Sequence, residues 1–189
     1  MTRMLRILGL LAVVGAATSP ALADDITEAI DQARKAYQAG DLGAAKQSLD
    51  LASQLVGQKN AEGFAALLPK PLPGWTGEEP QTTSVGAVGF GASVASRVYN
   101  NAKGDRVEVQ ITGDSAVVSQ IAMLLSNPAI AGAMGKLIRV GNQRAILDRD
   151  GNVKMVIGNK FLVSIDGSAD AGSKLAYAQA LDVAKLTKM

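Results

Sequence analysis

Cysteine and histidine are both absent from this 189-residue chain. Without thiols there is no disulfide, no thiolate nucleophile and no cysteine metal site. Without imidazole there is no histidine-ligated metal or haem and no histidine-based triad. Aromatic residues are scarce, at 4% of the chain, and Trp75 is the single tryptophan. A large excess of one charge is missing too. Nineteen Lys and Arg stand against seventeen Asp and Glu, too even a balance to profit from counterion release on a polyanion, so nucleic acid is not an expected partner. Carboxylates, hydroxyls, lysines and backbone remain. Neither Gly-x-Ser-x-Gly nor Ser-x-x-Lys occurs, which removes the nucleophile elbow and serine-lysine acyl transfer. Met123, Met134, Met155 and Met189 are too scattered to hold copper, and no cofactor or metal is expected.

The chain is 48% hydrophobic, which suits one or two small globular domains. Arg3 and Arg6 precede an apolar run from Ile7 to Ala17, and Ala21-Leu22-Ala23 follows Pro20. This order of basic, apolar and small residues predicts a secretory signal peptide over 1–23, cleaved after Ala23. The run is short of the roughly 20 residues that span a bilayer, so no stable membrane span is expected after cleavage. Removing Arg3 and Arg6 takes the formal charge from +2 to zero. The expected destination is the periplasm.

Residues 24–59 read as a helical hairpin. Ala29, Ala33, Ala36 and Tyr37 recur at helical spacing, Gly40-Asp41 breaks the run, and Ala44, Ala45, Leu49, Ala52, Leu55 and Val56 resume it. Asp25 with Glu28 predicts an N-cap, and Gly57 a stop. The pattern resembles one tetratricopeptide repeat. With Ala36 at the small position of the first helix, the glycine-acid turn falls at Gly40-Asp41, and Ala45, Leu49 and Ala52 match the second helix. Ala29 and Gln32 depart from the family's Trp and Leu, and no proline closes the unit. That family binds peptides by stacking repeats, and the likeness implies either a packed hairpin or a docking element for a partner.

Residues 60–84 read as a proline-rich linker. A short helix from Ala61 to Leu68 runs into Pro69-Lys70-Pro71-Leu72-Pro73-Gly74-Trp75, whose alternating prolines favour extended backbone. Trp75 is expected to fold back over the following domain, with exposed peptide recognition as the other reading.

Residues 85–189 predict an α+β domain. Strands are expected over Ser93–Asn100, Arg106–Thr112, Leu137–Val140, Gln143–Arg149, Asn152–Ile157 and Lys160–Ile165, with tight turns at Asp150-Gly151 and Gly158-Asn159. Helices are expected over Ala116–Leu125, over Pro128–Met134 with Asn127 as cap, and over Ala171–Leu186. Asn101–Leu125 can be laid beside Asp148–Leu181 as a repeated β-β-α order. The fold expected is an antiparallel sheet of five to seven strands with two helices on one face.

Two motifs are explained without ligands. Asp148-Arg149-Asp150-Gly151-Asn152 has calcium-loop character, but Ile157 stands where the closing glutamate belongs, and a tight hairpin turn accounts for it. Gly89-x-Gly91 is followed by a strand, not the helix a dinucleotide site needs. The apolar helix 116–125 is the suggestive feature. Val118, Ile121, Leu124, Leu125 and Met134, with Trp75, form the candidate surface for an apolar ligand or a partner. The leading expectation is an exported, non-enzymatic binding or scaffolding protein whose partner is another exported protein. The alternatives are a carrier or sensor of an apolar small molecule or lipid, and a hydrolase built on Asp114, Asp148 and Asp166.

Overall fold

The computed structural model describes residues 21–84, 92–113 and 116–189. The expected leader up to Pro20, the Gly86–Gly91 run and Asp114 lie outside the described residues. Helices α1 (Ala21–Gln38) and α2 (Leu42–Ala65) form the hairpin. Its seam is alanine: Ala29 and Ala33 meet Ala45 and Ala52, all buried, and small side chains let two helix axes come close. Gly40 turns the chain at φ +78°. Asp41 then caps α2, its carboxylate accepting from Ala44 N–H at 2.9 Å.

Two helix limits differ from expectation. Asp25 lies inside α1 and does not cap it, because Ala21-Leu22-Ala23 continue the helix upstream. Gly57 does not stop α2, so the short helix expected from Ala61 is the end of α2 itself. A lone interior glycine costs only about 1 kcal/mol. Here its missing side chain lets α2 lie on the sheet, since a Cβ at position 57 would stand 3.2 Å from Ser84 Cβ.

The antiparallel sheet has eight strands: β1 (Trp75–Gly77), β2 (Gln81–Ser84), β3 (Ser93–Asn101), β4 (Arg106–Gly113), β5 (Lys136–Val140), β6 (Gln143–Leu147), β7 (Val153–Ile157) and β8 (Phe161–Asp166). Their order is β1-β3-β4-β8-β7-β6-β5, with β2 also on β3. Six of them, β3 to β8, come from the 85–189 region, within the expected range, and the 60–84 segment expected as a linker supplies β1 and β2, both zipped to β3. Strand periodicity sorts the side chains. Val107, Val109 and Ile111, Val153, Met155 and Ile157, and Phe161, Val163 and Ile165 share one face and are all buried. The other face alternates polar and apolar residues and is only half-buried.

The helices divide between these faces. Phe64 of α2, Leu68 just beyond its end, Tyr177 and Ala178 of α5 (Ala171–Gln179) and Leu186 of α6 (Val183–Thr187) join the main core. Helices α3 (Ala116–Ser126) and α4 (Pro128–Met134) follow β4, and Ala122 of α3 stands beside Ile146 and Val156 on the opposite face. The two helices expected on one face therefore sit on opposite faces, because the second face carries apolar residues that need cover of their own. The expected Ala171–Leu186 helix is also two: Asp182 accepts from Lys185 N–H at 3.0 Å and starts α6 afresh. That offset buries Leu186 and leaves Ala184 exposed.

The repeated order survives in the loops. Asn101 Oδ1 accepts from the N–H groups of Lys103 and Asp105, and Asp148 Oδ1 accepts from those of Asp150 and Asn152. Gly104 at φ +86° and Gly151 at φ +74° occupy the same place. The same five-residue motif, Asn101–Asp105 and Asp148–Asn152, turns both hairpins, where a two-residue turn was expected at Asp150-Gly151. At Gly158-Asn159 both φ are positive, +59° and +56°, as the tight turn requires. Beyond the loops the likeness ends, for β7 continues into β8 before any helix.

Two phenols pin the proline segment to this core. Tyr99 on β3 donates to Pro69 O at 2.6 Å, and Tyr177 Oη accepts from Leu72 N–H at 3.3 Å. Their ring centroids are 4.3 Å apart, and Trp75 meets Tyr177 edge-on at 5.5 Å. Burial pushes both phenols' pKa upward, against the smaller opposing effect of Arg97 on Tyr99 and of the Leu72 N–H on Tyr177. A phenol with a raised folded pKa contributes stability that is complete below its unfolded value of about 10 and is lost progressively as pH rises from there through the higher folded value. Tyr99→Phe is expected to lower unfolding free energy by about 1–2 kcal/mol near neutral pH, by orphaning the Pro69 carbonyl. It should also flatten the loss of stability above pH ~10. Urea denaturation across that range measures both.

Candidate interaction surfaces

On α2, Leu42, Leu49 and Val56 are seven residues apart, and on α1 so are Ile30 and Tyr37. Seven residues make about two helical turns, so each set forms one stripe. All five are exposed, Tyr37 at 69% and Leu49 at 55%. The opposite flank of the hairpin is a cleft of about 330 Å³, where Asp25, Glu28 and Gln32 of α1 face Leu51 and Leu55 of α2. With those residues assigned to one flank, helical geometry puts Ile30 and Tyr37 beside Leu42, Leu49 and Val56 on the other. The result is a two-helix apolar face.

A second feature lies where α3 crosses the half-buried face of the sheet. A cleft of about 230 Å³ is floored by Ala122, Leu137, Ile146 and Val156 and edged by Asn142, Arg144, Lys154 and Asn159. Arg139 is the direct cross-strand partner of Arg144. Nearby, Met123 is 74% exposed and Ile130, Met134 and Leu137 are exposed as well.

The structure disperses the residues singled out from the sequence. Val118 is buried and Ile121 half-buried on α3, while Met134 stands exposed at the end of α4. The side chains of Leu124 and Leu125 lie outside the described residues. Trp75 is on the other side of the sheet, packed on the core through Tyr177, and does not join the α3 group. Sequence reasoning missed Leu137, Arg139, Arg144 and Ile146. Their signal was present in the near-palindrome Leu137-Ile138-Arg139-Val140-Gly141-Asn142-Gln143-Arg144-Ala145-Ile146, which a hairpin folds into facing Arg-Arg and Leu-Ile pairs.

Of the acidic residues named from the sequence, Asp148 and Asp166 are among the described residues and Asp114 is not. Asp148 spends its carboxylate inside its own loop, accepting from Asn152 and Asp150 N–H groups at 2.8 and 2.9 Å and from Asn152 Nδ2 at 3.1 Å. Partial burial raises its pKa, but these bonds together with Lys154 outweigh it and hold the carboxyl below its usual value. Asp166 lies opposite Glu108, which is paired with Arg106 at 2.8 Å. No group of three acidic side chains among the described residues could hold a metal ion. Where a calcium ion would draw on the 148–152 loop, the buried ammonium of Lys174 donates to Asp150 O at 3.0 Å and to Asn152 Oδ1 at 2.7 Å. No helix among the described residues is long and apolar enough to cross a membrane.

Comparison with known proteins adds no relative: no family model, curated protein or solved structure matches this chain.

The hairpin geometry sets a contrast that a thermal melt can read. Leu49→Asp, on the open flank, is expected to change stability by no more than about 0.5 kcal/mol. Ala52→Asp, one turn away in the alanine seam, buries an unpaired carboxylate and should cost several kcal/mol, on the order of 3 or more.

Proposed function

We propose that this protein is an exported, non-enzymatic scaffold that works by protein–protein contact, taking an amphipathic helix of another exported protein along the apolar flank of its helical hairpin. The observation that carries this reading is the pair of heptad-spaced stripes, Ile30 and Tyr37 beside Leu42, Leu49 and Val56, left open to solvent. Seven-residue spacing is the repeat that a partner helix matches by inserting its own side chains between successive ridges. The likeness to a tetratricopeptide unit agrees with this use, since helix pairs of that type present side chains to peptides. The basic and apolar leader supports export to the periplasm.

α1 packs mainly on α2, so the flank stands clear of the sheet's own core. A partner helix seated there would cover apolar surface at no cost to the fold. The flat alanine seam beneath holds the two stripes at fixed separation.

The test places a photo-reactive amino acid at position 49 of the secreted protein and identifies what it crosslinks in the periplasm. A single recurring partner, with affinity reduced at least about tenfold by Leu49→Asp, is the expected result. A crosslink to a second copy of this chain would assign the flank to self-association. No crosslink, or a partner indifferent to Leu49→Asp, would overturn the reading.

A further inference from the structure

We propose that the cleft beneath α3 binds a single-chain amphiphile with a carboxylate head, of the fatty-carboxylate class. The proposal goes beyond the scaffold reading and uses none of its residues.

Charge is the first argument. Arg139 and Arg144 face each other directly across the β5–β6 pair, and like charges so placed oppose strand pairing. Neither guanidinium has an ion pair among the described residues. The stretch from Lys136 to Leu147 holds three basic residues and no acidic one. An anion between the two guanidinium forks removes the repulsion and satisfies both. A carboxylate fits because its two oxygens accept the parallel N–H bonds that arginine offers. Lys154, on the next strand and at the edge of the same cleft, adds to the positive potential.

The apolar floor is the second argument. Leu137 and Ile146 are cross-strand partners, Val156 follows on β7, and Ala122 closes the space from α3. These groups lie on the same sheet face as Arg144, so head and tail of one ligand can reach charge and apolar wall together. Size settles the class. At about 230 Å³ the cleft is smaller than the ~300–1,000 Å³ typical of drug-sized sites, which suits one alkyl chain and not a two-chain lipid.

Calorimetric titration with decanoate, below its micellar concentration, tests the proposal. The expected result is saturable one-to-one binding, with amide chemical-shift changes confined to α3 and β5–β7. Arg144→Gln or Arg139→Gln should weaken it about tenfold, as loss of a charge-assisted hydrogen bond does. Decanol should bind at least about tenfold more weakly for the same reason. Leu137→Gln, at an exposed position, should also weaken binding, and Leu49→Asp should leave it unchanged. Absence of decanoate binding, equal affinity for decanol, indifference to both arginine substitutions, or binding only to vesicles of phosphatidylglycerol would each overturn the proposal.

Discussion

The close, tilted pair of Tyr99 and Tyr177 rings is the contact on which the rest of the structure depends. One ring comes from β3 and the other from α5, with the centroids 4.3 Å apart. Each hydroxyl reaches out of the core to the same proline segment, to Pro69 O and to Leu72 N–H. Alternating prolines lack the N–H donors a ladder needs, so Pro69 O and Leu72 N–H take side-chain partners instead. These two phenols provide partners where the chain passes over the buried sheet. They thereby fix the exit of α2 on one side and the start of β1 on the other. Trp75 closes the group edge-on.

From that anchor the sheet is built with two unequal faces. The core face is apolar at every alternate position of its central strands, and α2, α5 and α6 cover it. Gly113 shows how closely: a Cβ there would come within 2.9 Å of the edge-packed rings of Phe64 and Phe161. The other face carries Ser96, Gln110, Ser164 and Lys154 across its middle, in register from β3 to β7. A face of that composition does not demand complete cover. α3 covers part of it, and the space left beside β5–β7 is the cleft that Arg144 edges.

Much of the architecture was legible from period and punctuation. The alternation of Val107, Val109 and Ile111 with Glu108 and Gln110 is the strand pattern seen in β4. Asn127-Pro128 opens α4 with the cap in place. Legibility failed where tertiary contact overrode local preference. Gly57 reads as a stop until α2 needs a flat spot against Ser84. Gln81-Thr82-Thr83-Ser84 reads as a linker because it lacks apolar alternation, yet it becomes a strand once β3 offers its edge. The split of α5 from α6 at Asp182 was written locally, but the apolar stripe running through it hid the cap. For the candidate surfaces, the α3 residues were visible by hydrophobicity. The arginine pair was not, because its meaning lies in cross-strand register.

The hairpin flank and the sheet cleft make different physical demands, and the fold keeps them apart. A partner helix needs a long rigid ridge, which the alanine seam of α1 and α2 provides by removing side-chain bulk between the axes. A small anionic amphiphile needs donors beside an apolar wall, which the β5–β6 pair offers with Arg144 next to Leu137 and Ile146. Apolar exposure on the flank carries no argument for a lipid, since Lys46, the cation one turn from Leu42 and Leu49, is already paired with Asp50 at 2.6 Å. Conversely, at about 230 Å³ the cleft has too little volume to seat a helix, whose diameter with side chains is about 10 Å. If both proposals hold, a chain with neither imidazole nor thiol would discriminate its ligands by the spacing of apolar ridges at one end and by paired guanidinium groups at the other.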